Sequence, residues 1–209
     1  MKKNHQLALD AILAGLTGTP RLLLHACCAP CSSYVLEYLT EYFDITLYFY
    51  NPNITDAAEY NKRASELARL IREMPHKNPI RLIVPTHDAA PFFALASGRE
   101  ALSEGGARCF DCYRERLAAT AAYMTAHRDA FDYFATTLTV SPHKNAAKLN
   151  EIGEELAEAS GIAWLPSDFK KREGYKRSIE LSAEYGLYRQ DFCGCIYSQI
   201  ASEARHGNA

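Results

Sequence analysis

Residues 21–31 read RLLLHACCAPC, and this stretch decides the architecture. Arg21–Ala26 (RLLLHA) is a short apolar run suited to a buried strand, and the Cys/Pro knot Cys27-Cys28-Ala29-Pro30-Cys31 breaks it. Pro30 stiffens that turn. Polar, chemistry-bearing residues at the end of an apolar strand are what an open α/β sheet presents, because its ligands gather beyond the carboxyl ends of its strands.

Outward from this strand the pattern repeats. Upstream, Leu9, Ile12, Leu13 and Leu16 follow helical spacing, and Asp10 splits the apolar run. A surface helix is expected over 1–18 rather than a signal peptide. Downstream, a helix is expected over Ser32–Glu41 and a strand over Asp44–Tyr50. Thr55 caps the next helix, whose stripe Tyr60, Ala64, Leu67, Ile71 and Met74 runs to Pro75. A third strand is expected at Ile80–Val84 and a helix near Ala90–Ala96, followed by a loose segment, SGREALSEGGAR. Cys109-x-x-Cys112 opens a helix with the buried stripe Tyr113, Leu117, Ala121 and Met124. Phe131–Thr137 is the fourth strand, Lys144–Ser160 a helix stopped by Gly161, and Ile162–Leu165 a short strand. Strands alternating with helices of this length predict an α/β fold, a parallel sheet flanked by helices. No repeat or linker interrupts it. The expectation is a single domain over 1–209, with the N-terminal helix at 1–18 and a basic, aromatic, Cys-rich C-terminal region at 166–209 packed on the same domain.

The composition, 48% hydrophobic and 23% charged, excludes collagen and disorder. No apolar stretch approaches the roughly 18–20 residues of a membrane helix. The net charge of −2 means that any nucleic-acid surface must be local. Seven cysteines, an odd count without a secretion signal, argue against a disulfide-stapled extracellular scaffold and for the cytoplasm.

Those cysteines fall into three knots, HACCAPC, RCFDC and FCGC. Thiolates are soft ligands suited to zinc or iron–sulfur. Cys27, Cys28, Cys109 and Cys112 would complete a Cys₄ cage, a tally that fits a zinc site and a [4Fe–4S] cluster equally. Cys109 and Cys112 share a helix face, and the helix N-terminus with Arg108 and Arg114 is expected to favour their thiolates. His25 is read as a packed, hydrogen-bonded neighbour rather than a ligand. Cys193-Gly194-Cys195 either closes a strained, redox-active disulfide or binds metal, and Gly194 permits the bend in both cases. The stretch DFKKREGYKR places Lys170, Lys171, Arg172, Lys176 and Arg177 among Phe169 and Tyr175, a candidate surface for phosphates and unpaired bases, diluted by Glu173, Glu180 and Glu184.

HACCAPC, NPNI with EYNKR, RCFDCYRERL, TTLTVSPHKN and DFKKREGYKRS with LYRQDFCGCIYS, running in order from about Leu22 to Ser198, resemble the epoxyqueuosine reductase family of the QueH type. The resemblance implies a Rossmann-like fold similar to adenine-nucleotide hydrolase and PP-loop enzymes. It implies reductive removal of the epoxide oxygen from epoxyqueuosine at the tRNA wobble position, leaving queuosine in the last step of its biosynthesis. It implies a [4Fe–4S] cluster on Cys27, Cys28, Cys109 and Cys112, no cobalamin, and a redox pair Cys193 and Cys195. Cys31 could join Cys193 or Cys195 around a second, mononuclear iron. The implied partners are tRNAs with GUN anticodons (Asp, Asn, His, Tyr), contacted by Lys170, Lys171, Arg172, Lys176 and Arg177, and an unidentified electron donor. Tyr133, His143 and Asp191 are candidate proton donors. Two rival readings are a nucleotide-dependent tRNA thiolase, which wants a glycine-rich phosphate loop after the first strand, and a zinc-stabilised RNA-binding module.

Overall fold

A computed structural model describes residues 3–207; Met1, Lys2, Asn208 and Ala209 lie outside the described residues, including those ends of the expected 1–18 and 166–209 segments. The elements are α1 (His5–Ala14), β1 (Arg21–His25), α2 (Ala29–Leu39), β2 (Asp44–Tyr48), α3 (Ala57–Glu73), β3 (Ile80–Ile83), α4 (Ala90–Ala96), α5 (Ala107–Ala126), β4 (Tyr133–Thr136), α6 (Ala146–Ser160), α7 (Gly174–Glu184) and α8 (Ile196–Gly207). The four strands are parallel in the order β3-β2-β1-β4. Helices cover both faces, as a Rossmann-like α/β fold requires.

Period-two alternation in β1 sorts the core. Leu22 and Leu24 point into a layer with Val35, Leu36 and Leu39 of α2 and Leu67 and Leu70 of α3. Leu23 points the other way, into Tyr113, Leu117 and Met124 of α5 and Leu149 and Ile152 of α6. At the carboxyl edge, His25 pairs with Tyr48 on one side and Thr136 on the other, so the first cysteine knot leaves the sheet at its centre.

Several boundaries differ from the expected ones. The helix after β1 begins at Ala29, not Ser32, because Pro30 suits a first turn whose N–H needs no partner. Cys28 is therefore its N-cap and Cys31 lies in its first turn. Asp56, not Thr55, caps α3: its carboxylate accepts from the Glu59 N–H at 2.7 Å, while the Thr55 N–H is engaged by the Gly194 carbonyl at 3.2 Å. Asn145 caps α6, which leaves Lys144 outside the helix. Ile162–Leu165 makes only a single bridge, Phe134 to Trp164. The C-terminal region holds two helices that were not anticipated. The first turn of α7 is pressed onto α2, where a Cβ at Gly174 would stand 2.2 Å from Tyr34 Cε1. No helix among the described residues is long and apolar enough to cross a membrane.

Candidate active site

All seven cysteines are free thiols, and they line two adjoining cavities at the carboxyl ends of β1 and β4. The larger, 670 Å³, is walled by Cys27, Cys28, Cys31 and Cys193. The smaller, 20 Å³, is walled by Cys109, Cys112, Cys193 and Cys195. Asn53, Glu104, Arg116, Lys144 and Cys193 belong to both walls. The RCFDC knot thus reaches the HACC knot across shared side chains.

The strand-to-helix turn sets the first group. Cys27, Cys28 and Cys31 hold their sulfurs within 4.8 Å of one another, and Cys27 Sγ is 3.7 Å from Cys28 Sγ. That separation is close to the edge, about 3.8 Å, of a tetrahedron with metal–thiolate bonds of ~2.3 Å. Sequence reasoning had set Cys31 apart from this pair; the first turn of α2 brings it beside them. Within the group, hydrogen bonding from Cys27 holds the Cys28 thiol well below its ordinary range, and the same contact pushes Cys27 up to about 11.

His25 is fully buried beneath them. Its Nε2 lies 3.1 Å from the Tyr50 carbonyl, which can only accept, so the proton sits there. Nδ1 then accepts from the Thr136 hydroxyl at 2.9 Å. Burial first, then Arg116, lowers its pKa to about 3, so His25 is a neutral prop for the turn.

The second group comes from α5 and the segment before α8. Cys109 accepts from the Gly105 N–H at 3.3 Å. Burial pushes both α5 thiols up, Cys112 to about 12. The expectation that Arg108 and Arg114 would favour their thiolates is therefore corrected. Arg114 turns outward to Glu155 at 2.5 Å, and Arg108 is spent on the carbonyls of Arg99 and Glu100 and on the Tyr197 ring. Arg116, which the sequence reading passed over, is a buried cation in the walls of both cavities. A signal for it existed: residues 109, 112 and 116 form one helical stripe.

The CGC segment is fastened from α3. The Cys193 carbonyl accepts from Arg63 Nη1 at 3.2 Å and Asn53 Nδ2 at 3.4 Å. Gly194 has φ +116°, and a Cβ there would lie 2.9 Å from Ile54 Cγ1. Lys144 Nζ stands 3.1 Å from Cys193 Sγ. Burial would push the Cys193 thiol up, but the Lys144 ammonium and then Arg116 outweigh it and hold it below its ordinary value.

Buried soft donors, with cations that lack enough carboxylate partners, fit a thiolate-held, anionic metal group. Arg116 Nη2 is buried without a hydrogen-bond partner, and such a group would pair with it.

The candidate proton donors separate. His143 and Asp191 line the larger cavity. Tyr133 is corrected: it starts β4 at the opposite edge of the sheet, packed against Phe43. The basic stretch is largely engaged within the chain. Lys170 meets Asp168 at 2.8 Å, Arg172 meets Asp10, Lys176 meets Glu173 at 3.6 Å, and Arg177 meets Glu37 at 2.6 Å. Lys171 is exposed. Tyr175, with Arg189 further along, lines the larger cavity.

A family model described as epoxyqueuosine reductase QueH matches residues 22–201. The epoxyqueuosine reductase QueH of Streptococcus pyogenes serotype M1 is 43% identical over 181 residues, covering 86% of this chain and 70% of the relative. That of Staphylococcus epidermidis is 38% identical over 209 residues, covering 95% and 87%. That of Thermotoga maritima is 31% identical over 188 residues, covering 88% and 93%.

Proposed function

The chain belongs to the epoxyqueuosine reductase QueH family, and on that footing we propose how its cysteines carry out the reduction of epoxyqueuosine to queuosine. The enzyme is an oxidoreductase that modifies tRNA. The observation that carries the reading is the convergence of seven thiols on two adjoining cavities with buried cations between them.

Cys27, Cys28, Cys109 and Cys112 would hold a [4Fe–4S] cluster, and Cys193 and Cys195 would be the redox pair. Cys31 with Cys193 or Cys195 would hold a second, mononuclear iron. The cluster, when bound, supplies electrons one at a time and a Lewis-acidic iron toward oxygen. The chain's own residues do the rest. The larger cavity receives the modified base, extruded from the anticodon loop. Closing the disulfide from the Cys193 thiolate and the Cys195 thiol releases two electrons and one proton. With these and a second proton from the cavity wall, the epoxide's two C–O bonds break, an alkene forms, and the oxygen leaves as water. The Lys144 ammonium holds Cys193 as the thiolate that such closure needs. His143 or Asp191 delivers a proton to the departing oxygen. A donor of reducing equivalents then reopens the disulfide. This route accounts for both electrons without cobalamin.

The tRNA partners carry GUN anticodons (Asp, Asn, His, Tyr), with Lys170, Lys171, Arg172, Lys176 and Arg177 at the phosphates. The C-terminal region 166–209 works as part of one α/β domain with the rest of the chain, and the setting is the cytoplasm, where thiols stay reduced.

One observation favours a second reading of the metal. The 3.7 Å Cys27–Cys28 spacing suits a single ion bound by Cys27, Cys28 and Cys31. Anaerobic purification, iron, sulfide and zinc analysis, visible and EPR spectroscopy, and mass analysis of the tRNA nucleoside without added cobalamin test both. Iron with acid-labile sulfide and formation of queuosine are expected. Zinc alone, with no visible absorption and no turnover, overturns the cluster. A Cys109→Ala variant should lose cluster and activity together; a full cluster in that variant removes Cys109 as a ligand.

A further inference from the structure

Arg63, Arg108 and Arg116 are buried around the thiols and Lys144 is half-buried there, and they differ in their partners: Arg108 donates to the Arg99 carbonyl at 2.9 Å and the Glu100 carbonyl at 2.6 Å and lies over the Tyr197 ring. Arg63 is 2% exposed; its Nη2 is buried without a hydrogen-bond partner, but its Nε meets the Glu59 carboxylate at 2.6 Å, so its charge is paired. Lys144 has Cys193 at 3.1 Å and Glu104 at 3.9 Å. Arg116 is 1% exposed and, among the described residues, forms no ion pair with any carboxylate. Its Nε donates to the Cys112 carbonyl at 3.1 Å, an oxygen of its own helix, and its Nη2 is buried without a partner. It lines both cavities, with Cys27 and Cys193 in the wall of one and Cys112 and Cys193 in the wall of the other.

A buried guanidinium is always charged, and without an anion it weakens a fold. In the bare chain that charge meets one thiol held toward the thiolate, Cys193, and the Tyr113 ring 5.7 Å away, so it is only partly offset until the cavities hold further negative charge.

We propose that Arg116 is a positioning residue for the redox centre: a built-in counter-charge that favours the anionic, electron-rich state of whatever the surrounding thiols bind, and so raises its reduction potential. This rests on the thiol-held redox centre proposed above, but its test is separable from it. A neutral side chain of similar length should make the bare chain more stable and the loaded centre harder to reduce, opposite signs that a packing role would not give.

The experiment compares wild type, Arg116→Met, Arg116→Lys and Arg63→Met, each metal-free and after anaerobic loading with iron and sulfide. In the metal-free state Arg116→Met should melt at or above the wild-type temperature, whereas Arg63→Met, which strands Glu59, should melt lower. On loading, Arg116→Met should gain less thermal stability than wild type, and its midpoint in a dye-mediated redox titration should be more negative. Arg116→Lys, which keeps the charge, should stay near wild type in both. A metal-free Arg116→Met that melts several degrees lower overturns the proposal, as does a loaded variant with an unchanged midpoint. If wild type takes up no iron–sulfur group, the cluster reading fails, and the metal-free comparison still decides whether Arg116 is an incompletely offset charge.

Discussion

Lys144 Nζ stands 3.1 Å from Cys193 Sγ, although 49 residues separate them. The contact exists because α6 starts at Ala146, leaving Lys144 in the connection after β4, and because α3 holds the Cys193 carbonyl from the other side. Burial opposes the lysine's charge, but the Cys193 thiolate outweighs it and keeps the ammonium above its usual range. Lys144→Met should lower kcat for epoxyqueuosine reduction roughly 10²-fold, as losing one preorganised charge at a reacting atom does, with tRNA affinity little changed. Lys144→Arg should recover part of the rate. Single-turnover kinetics on modified tRNA check this, and an unimpaired Lys144→Met would dissociate the contact from catalysis.

Gly194 has φ +116°, outside the range of ordinary L-residues, and its would-be Cβ meets Ile54 at 2.9 Å and Arg63 Nη1 at 3.3 Å. Gly194→Ala should therefore cost about 1–3 kcal/mol in stability and shift both flanking cysteines. Urea unfolding measures the first effect. Loss of Cys193–Cys195 disulfide formation under mild oxidation measures the second. A variant that keeps wild-type stability would mean the segment relaxes freely.

Glu66 on α3 accepts from Arg69 at 2.8 Å and from the Tyr188 N–H at 2.7 Å, fastening the segment that leads to CGC. The hydrogen bond from Arg69 holds its carboxyl below the usual value. A carboxyl lowered by folding adds stability above its unfolded pKa, about 4.3, and loses it as pH falls through the lower folded value. Glu66→Gln should thus cost about 1 kcal/mol near pH 7, a modest figure because the pair is partly solvated. The gap from wild type should close as the pH drops below about 4. Chemical denaturation across pH reads it, and a pH-independent gap would assign the contact to packing alone.

Lys170→Glu with Lys171→Glu should weaken tRNA binding, most visibly at low salt, and reduce the slope of log affinity against log salt by about one to two. Arg177→Ala should do less, because Arg177 already spends its guanidinium on Glu37. Salt-dependent binding isotherms decide this; unchanged affinity in the double variant would leave the stretch a solvated face.

Much of this protein is written in local pattern. Alternating apolar runs and helical stripes were enough to place the four parallel strands and the helices between them, because a side chain's period follows directly from backbone geometry. The density of cysteines in three knots, and their likeness to one reductase family, marked the chemistry before any coordinates. The tertiary structure decided which groups meet. It put Cys31 beside Cys27 and Cys28, turned Arg114 outward to Glu155, and buried Arg116 with a free nitrogen between two cavities. It also tied Arg172 and Arg177 to acids on other elements and sent Tyr133 to the far edge of the sheet. Sequence periodicity tells which face of an element is apolar. Which charges find partners across that face depends on how elements distant in the chain pack, and electrostatics inside a fold is set by those distances.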